Sequence, residues 1–135
     1  MENRNILVIE DNELNMKLMH GILRIGNYRL IEAFDAETGI QLAREHHPFL
    51  ILMDIQLPGM DGLQATRIIK ADPDLKNIPV VAITGFAMQG DEEKAIASGC
   101  DGYITKPFDI QELLEKIDGY CKQETPNQNM DMVLK

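Results

Sequence analysis

The sequence predicts a doubly wound α/β domain, a single five-stranded parallel sheet with helices on both faces, and three observations predict it. Short branched apolar runs alternate with segments of helical periodicity, five of each. The first run, Ile6 to Ile9, is continuously apolar, as a strand covered on both faces is. The chain has 135 residues, no repeat of solenoid period and no interior linker, so one core is expected.

Ile6 to Ile9 reads as the first strand and runs into Glu10 and Asp11. From Asn12 onward, Leu14, Leu18, Met19, Ile22, Leu23 and Ile25 recur at helical spacing, with Asp11 or Asn12 placed to cap and Gly26 to stop. Arg29 to Ala33 follows as a strand and Ala36 to about Glu45 as a helix. Pro48 then breaks the chain before a third strand, Phe49 to Met53, which ends in Asp54. Gln56 to Gly62 reads as a loop, Leu63 to Ala71 as a helix and Asp72-Pro-Asp as a turn. Pro79 to Ile83 is a fourth strand ending at Thr84, and a helix between Gln89 and Ser98 is closed by Gly99. Asp101 to Thr105 is the fifth strand, ending at Lys106-Pro107. The last helix runs from Asp109 to about Lys122, with the apolar stripe Ile110, Leu113, Leu114 and Ile117 and with Asp109 and Glu112 as cap and partner. The domain thus spans 1–122, and 123–135, polar and aperiodic apart from a short apolar end, reads as a disordered tail.

A formal net charge of −9 argues against affinity for nucleic acid or anionic membrane, both of which need clustered Lys and Arg. No stretch suits a signal peptide or approaches the roughly 20 apolar residues that cross a bilayer, so a cytoplasmic protein without membrane insertion is expected. Cys100 and Cys121 lie far apart, without a CxxC or a neighbouring His pattern, which indicates neither a disulfide framework nor a zinc site.

In an open parallel sheet, ligands bind beyond the carboxyl ends of the strands. Four strands end in Glu10 with Asp11, Asp54, Thr84 and Lys106, so these five polar residues should converge at one edge. A lone Asp after a strand is usually a cap and a lone Lys is usually solvated; convergence carries the argument. Three adjacent carboxylates repel one another unless a cation joins them or one protonates. All-oxygen coordination suits Mg²⁺, with Mn²⁺ as the alternative. Lys106 brings a compact positive charge and Thr84 a hydroxyl donor, both suited to phosphate oxygens. The chain lacks GxGxxG after the first strand, GxxxxGK followed by Ser or Thr, and GxSxG; His20, His46 and His47 have no partner spacing. A carboxylate nucleophile beside a cation remains.

ILVIEDN at 6–12, LILMDIQLPGMDG at 50–62, PVVAITG at 79–85 and GYITKPF at 102–108 resemble, in order and spacing, the successive motifs of the receiver domain of two-component response regulators. The resemblance covers residues 5 to about 122 and extends to stand-alone receivers of the DivK type through VIEDNELNMKLMH and GFAMQGDEEKA. It implies a flavodoxin-like strand order 2-1-3-4-5 and Asp54 as phosphoacceptor. It also implies Asp11 binding the metal directly, Glu10 largely through water, and the backbone carbonyl of Gln56 as a further ligand. Thr84 and Lys106 would bind phosphoryl oxygens, drawing the following loop inward and turning Tyr103 from outside to inside. Gly85, where a small residue is usual, and Phe86 would belong to the same switch. The Lys106–Pro107 bond would be cis.

The implied partners are a histidine kinase or histidine phosphotransfer protein as donor and a downstream target protein. The chain would be a phosphoacceptor switch with intrinsic self-phosphorylation and self-dephosphorylation chemistry only, not an enzyme, and without a DNA-binding output domain. One alternative is a phosphate-independent pseudo-receiver, against which Asp11, Asp54, Thr84 and Lys106 all argue. A Mg²⁺-dependent aspartyl-phosphate phosphohydrolase is the other, but it would carry DxD after the first strand and a cap domain.

Overall fold

The computed structural model describes residues 3–57, 59–85 and 90–124. Its elements alternate as the periodicity predicts: β1 (Asn5–Ile9), α1 (Glu13–Ile25), β2 (Arg29–Ala33), α2 (Ala36–His46), β3 (Leu50–Asp54), α3 (Gly62–Ala71), β4 (Val80–Thr84), α4 (Asp91–Ala97), β5 (Gly102–Thr105) and α5 (Ile110–Glu124). All strand pairs are parallel and the order is β2-β1-β3-β4-β5.

The three central strands read as unbroken apolar runs because both of their faces are covered. Every residue of β3 and β4 is buried. Side chains alternate across the sheet with period two. Leu7, Ile9, Ile51, Met53, Val80 and Ala82 meet a core that includes Ala36, Ile40, Ala65, Ile69 and Ala95 of α2, α3 and α4. Ile6, Val8, Leu50, Leu52, Val81 and Ile83 meet Met16, Met19, Ile22 and Leu23 of α1 and Leu113 and Ile117 of α5.

Short polar side chains start the helices. Asn12 accepts from the Asn15 N–H at 2.9 Å, Asp35 from Thr38 at 2.7 Å and Asp61 from Gln64 at 2.8 Å. Asp109 accepts from Gln111 at 2.7 Å. Each satisfies a backbone donor that the first turn leaves without a helical partner. Asn12 is therefore the α1 cap, which leaves Asp11 to the site.

Several expectations need correction. Of the periodic apolar residues in α1, Leu14, Leu18 and Ile25 are 75%, 53% and 67% exposed, and Met16 takes a place in the core instead. The helix is apolar on more than one face, and contact with the sheet selects positions 16, 19, 22 and 23. Ile110 is likewise exposed, so the α5 stripe narrows to Leu113 and Ile117, with Leu114 half-buried. Strand β5 begins at Gly102 because the Asp101 carboxylate turns back to accept from the Val80 N–H and to pair with Lys70, both at 2.8 Å. Helix α4 starts after Gly90, whose φ of 92° suits glycine, and Gln89 lies outside the described residues. Helix α5 continues to Glu124, and the rest of the expected tail, 125–135, lies outside the described residues.

Candidate functional site

The chain reverses its direction of travel across the sheet between β1 and β3, and the carboxyl ends of β1, β3 and β4 meet there. Glu10 follows β1, and its N–H extends the ladder to the Ala33 carbonyl at 3.0 Å. Asp54 and Thr84 close β3 and β4 and are both buried. Lys106 follows β5, its N–H bonded to the Thr84 carbonyl at 2.8 Å. Backbone ladders thus hold each of these residues at the same edge.

One carboxylate oxygen from each of Glu10, Asp11 and Asp54 lies within 4.8 Å of the others. Glu10 is 4% and Asp54 9% exposed, whereas Asp11 is open to solvent. Glu10 uses both oxygens within the protein, taking the Lys106 ammonium at 3.0 Å on Oε1 and the Asn12 N–H at 3.2 Å on Oε2. Asp54 Oδ1 accepts from the Gln56 N–H at 2.9 Å. This hard, all-oxygen, anionic donor set fits Mg²⁺.

Burial pushes the Asp54 carboxyl up to about 6; the Gln56 N–H opposes the shift, the Glu10 charge and its hydrogen bond reinforce it, and Lys106 counters it. The folded protein binds this proton more tightly than the unfolded chain, whose value is near 3.8. The penalty is therefore complete above about pH 6 and is relieved as pH falls toward 3.8. Without metal, this group should raise stability by on the order of 2 kcal/mol between pH 7 and pH 4.5. Urea unfolding at both pH values measures it. With saturating Mg²⁺ the gain should vanish and stability at pH 7 should rise, because an ion bound only to the folded state competes with the proton.

Tyr103 does not join this cluster. It lies on the α4 side of the sheet, half-buried against that core. Its hydroxyl is buried with no hydrogen-bond partner among the described residues, and burial, then Asp91, Glu92 and Glu93, hold its pKa up. An unsatisfied buried hydroxyl is a cost, so Tyr103→Phe should be as stable as the parent or more stable by about 1 kcal/mol, as thermal unfolding would register. Gly85 stands at the mouth of the site, and among the described residues a Cβ there would meet only Lys106 Cδ, at 3.9 Å, so Ala or Ser would fit. Phe86 lies outside the described residues. The Lys106–Pro107 bond is cis, as the resemblance implies.

Two features escaped the sequence reading. The Glu10–Lys106 ion pair joins residues 96 apart, and no local pattern signals it. Gly62 opens α3 directly against the Asp54 backbone, and its only sign is its place at the end of the Gln56–Gly62 loop.

The response regulator receiver domain family matches residues 6–118. The polar-differentiation response regulator DivK of Brucella ovis is 46% identical over 117 residues, 87% of this chain and 95% of that protein. Among solved structures, the receiver domain of a sensor histidine kinase from Pseudomonas aeruginosa, with a magnesium ion coordinated in the active site cleft, is 33% identical with a TM-score of 0.82. That match covers 89% of this chain and 98% of the other. A CheY-like receiver domain protein from Methanospirillum hungatei is 25% identical, with a TM-score of 0.83 and 93% and 98% of the two chains covered.

Proposed function

Because this chain belongs to the response regulator receiver domain family, we propose that it is a phosphorylation switch whose acceptor is Asp54. The observation that carries the reading is a buried carboxylate at the end of β3 with Glu10, Asp11 and Lys106 gathered around it.

Asp54 is ionised above about pH 6, and the Gln56 N–H on Oδ1 fixes the carboxylate and leaves Oδ2 to attack phosphorus. Asp11 and Asp54, with the Gln56 carbonyl, would hold Mg²⁺; Glu10, its oxygens already engaged, would act through water. Bound Mg²⁺ supplies positive charge against the clustered carboxylates and the phosphoryl oxygens. Lys106 then exchanges its Glu10 partner for a phosphoryl oxygen, and the Thr84 hydroxyl donates to another. Positioning and electrostatics suffice, and no added base is needed.

The donor is a histidine kinase or histidine phosphotransfer protein. The output is a changed protein-binding face of α4, β5 and α5, switched through Gly85, Phe86 and Tyr103 and offered to a downstream target. Acting as acceptor and switch, the chain carries only intrinsic self-phosphorylation and self-dephosphorylation chemistry. Cys100 and Cys121, buried and not joined in a disulfide, suit a reducing cytoplasm.

Intact mass after incubation with Mg²⁺ and phosphoramidate tests the proposal. One labile phosphoryl adduct, mapped to Asp54 and abolished by a chelator, is expected. A folded, Mg²⁺-supplied protein that takes no adduct would overturn it.

A further inference from the structure

We propose that the cavity beside Asp54 receives the hydrocarbon tail of a small-molecule acyl phosphate, so that the site prefers phosphodonors whose leaving carboxylate carries a short apolar chain. This rests on the phosphoacceptor reading above and names a substrate class for it.

The cavity has a volume of about 470 Å³, within the range of small-molecule sites. It lies between the sheet and the helices α1 and α5. Val8, Leu52 and Ile83 form its floor, Met19 and Ile22 of α1 one wall and Phe108 another. Its charged groups among the described residues, Glu10, Asp54 and Lys106, all belong to the phosphorylation site. Leu18 and Ile110, both exposed, form apolar edges of the opening. A ligand that satisfies both ends has an anionic phosphoryl head beside Lys106 and a tail that forms no hydrogen bonds. Phosphoramidate and other tail-less donors leave the apolar part unfilled.

The reaction balances without another reactant. An Asp54 carboxylate oxygen forms a bond to phosphorus, the bond from phosphorus to the acyl oxygen breaks, and its electron pair leaves with the carboxylate; no proton moves. Acetate and butyrate are leaving groups of nearly equal basicity, so a rate difference between their phosphates reports contact with the chain. Each methylene buried gains roughly fourfold, and two in a partly open cavity should give roughly tenfold.

The test is the initial rate of adduct formation with butyryl phosphate and with acetyl phosphate, each below saturation with Mg²⁺, beside a phosphoramidate reference. A butyryl-to-acetyl ratio of roughly ten is expected for the parent. It should fall toward one in Leu18→Gln and in Ile110→Gln, where exposed residues change and the fold tolerates polar replacements. A ratio near one in the parent, with phosphoramidate still forming the adduct, overturns the inference and leaves Asp54 as acceptor. A high ratio unchanged in both variants assigns the preference to the donors themselves and also overturns it. No adduct from any donor removes the phosphoacceptor reading and this inference together.

Discussion

Asp54→Asn should abolish phosphoryl acceptance and at the same time stabilise the metal-free protein by about 2 kcal/mol at pH 7. The amide cannot act as the nucleophile. Its oxygen keeps the Gln56 N–H, and its NH₂ donates to Glu10, so a carboxylate that is buried and repelled becomes a neutral, satisfied group. The advantage should shrink as pH falls toward 4.5, where the parent Asp54 takes up its own proton. Urea unfolding of both proteins at pH 7 and pH 4.5 separates this effect from the titration of every other group. An Asn variant no more stable than the parent at either pH would refute the electrostatic account of the site. Mg²⁺ should reverse the order, since only the parent offers the third carboxylate.

Gly62→Ala should be the most damaging single-methyl change near the site, costing about 3 kcal/mol. A Cβ at Gly62 would sit 2.6 Å from both the Asp54 carbonyl oxygen and Ile55 Cα, and 3.0 Å from Met53 Cγ. Two of these are backbone atoms in or next to a fully buried strand and cannot yield as a side chain does. Gly21 and Gly119 provide the contrast, for both lie in helix interiors with no described residue within 4 Å of an added Cβ. Alanine at either should stabilise by up to about 1 kcal/mol through helix propensity. Denaturant midpoints for the three variants check the ordering. The rate of phosphoramidate labelling should fall in Gly62→Ala alone, because its clash displaces the backbone that carries Asp54.

What could be read beforehand was what local patterning encodes. Ile51 to Met53 and Val80 to Ile83 are apolar because both faces are covered, so strand type, parallel pairing and the edge reached by Asp54 and Thr84 were legible together. Helix α1 marks the limit. Leu14, Met16, Leu18, Met19, Ile22 and Ile25 surround most of its axis, and only the sheet's position decides that Met16 goes inward and Leu18 outward. Asp11 and Asn12 were equal candidates for the cap until the side chain of Asn12 was found on the Asn15 N–H. The acidic cluster was foreseeable from strand ends, but its inner asymmetry was implied by the family resemblance alone. That Glu10 is engaged by Lys106 and Asn12 while Asp11 stays open depends on contacts between segments up to 96 residues apart.

The burial of β1, β3 and β4 has a consequence for the domain's opening motions. Amides in the central strands of a sheet exchange with solvent only when the whole domain unfolds, whereas edge strands and helix ends open locally at lower cost. Here Glu10, Asp54 and Thr84, which end or follow those central strands, gather at the site, and Lys106 joins them from the edge strand β5. Deuterium uptake should therefore be slowest along the central strands, which carry Asp54 and Thr84, and faster at β2 and β5, which lie at the sheet edges. Chemistry would be held by the part of the molecule that opens last, and its output carried by parts that open first.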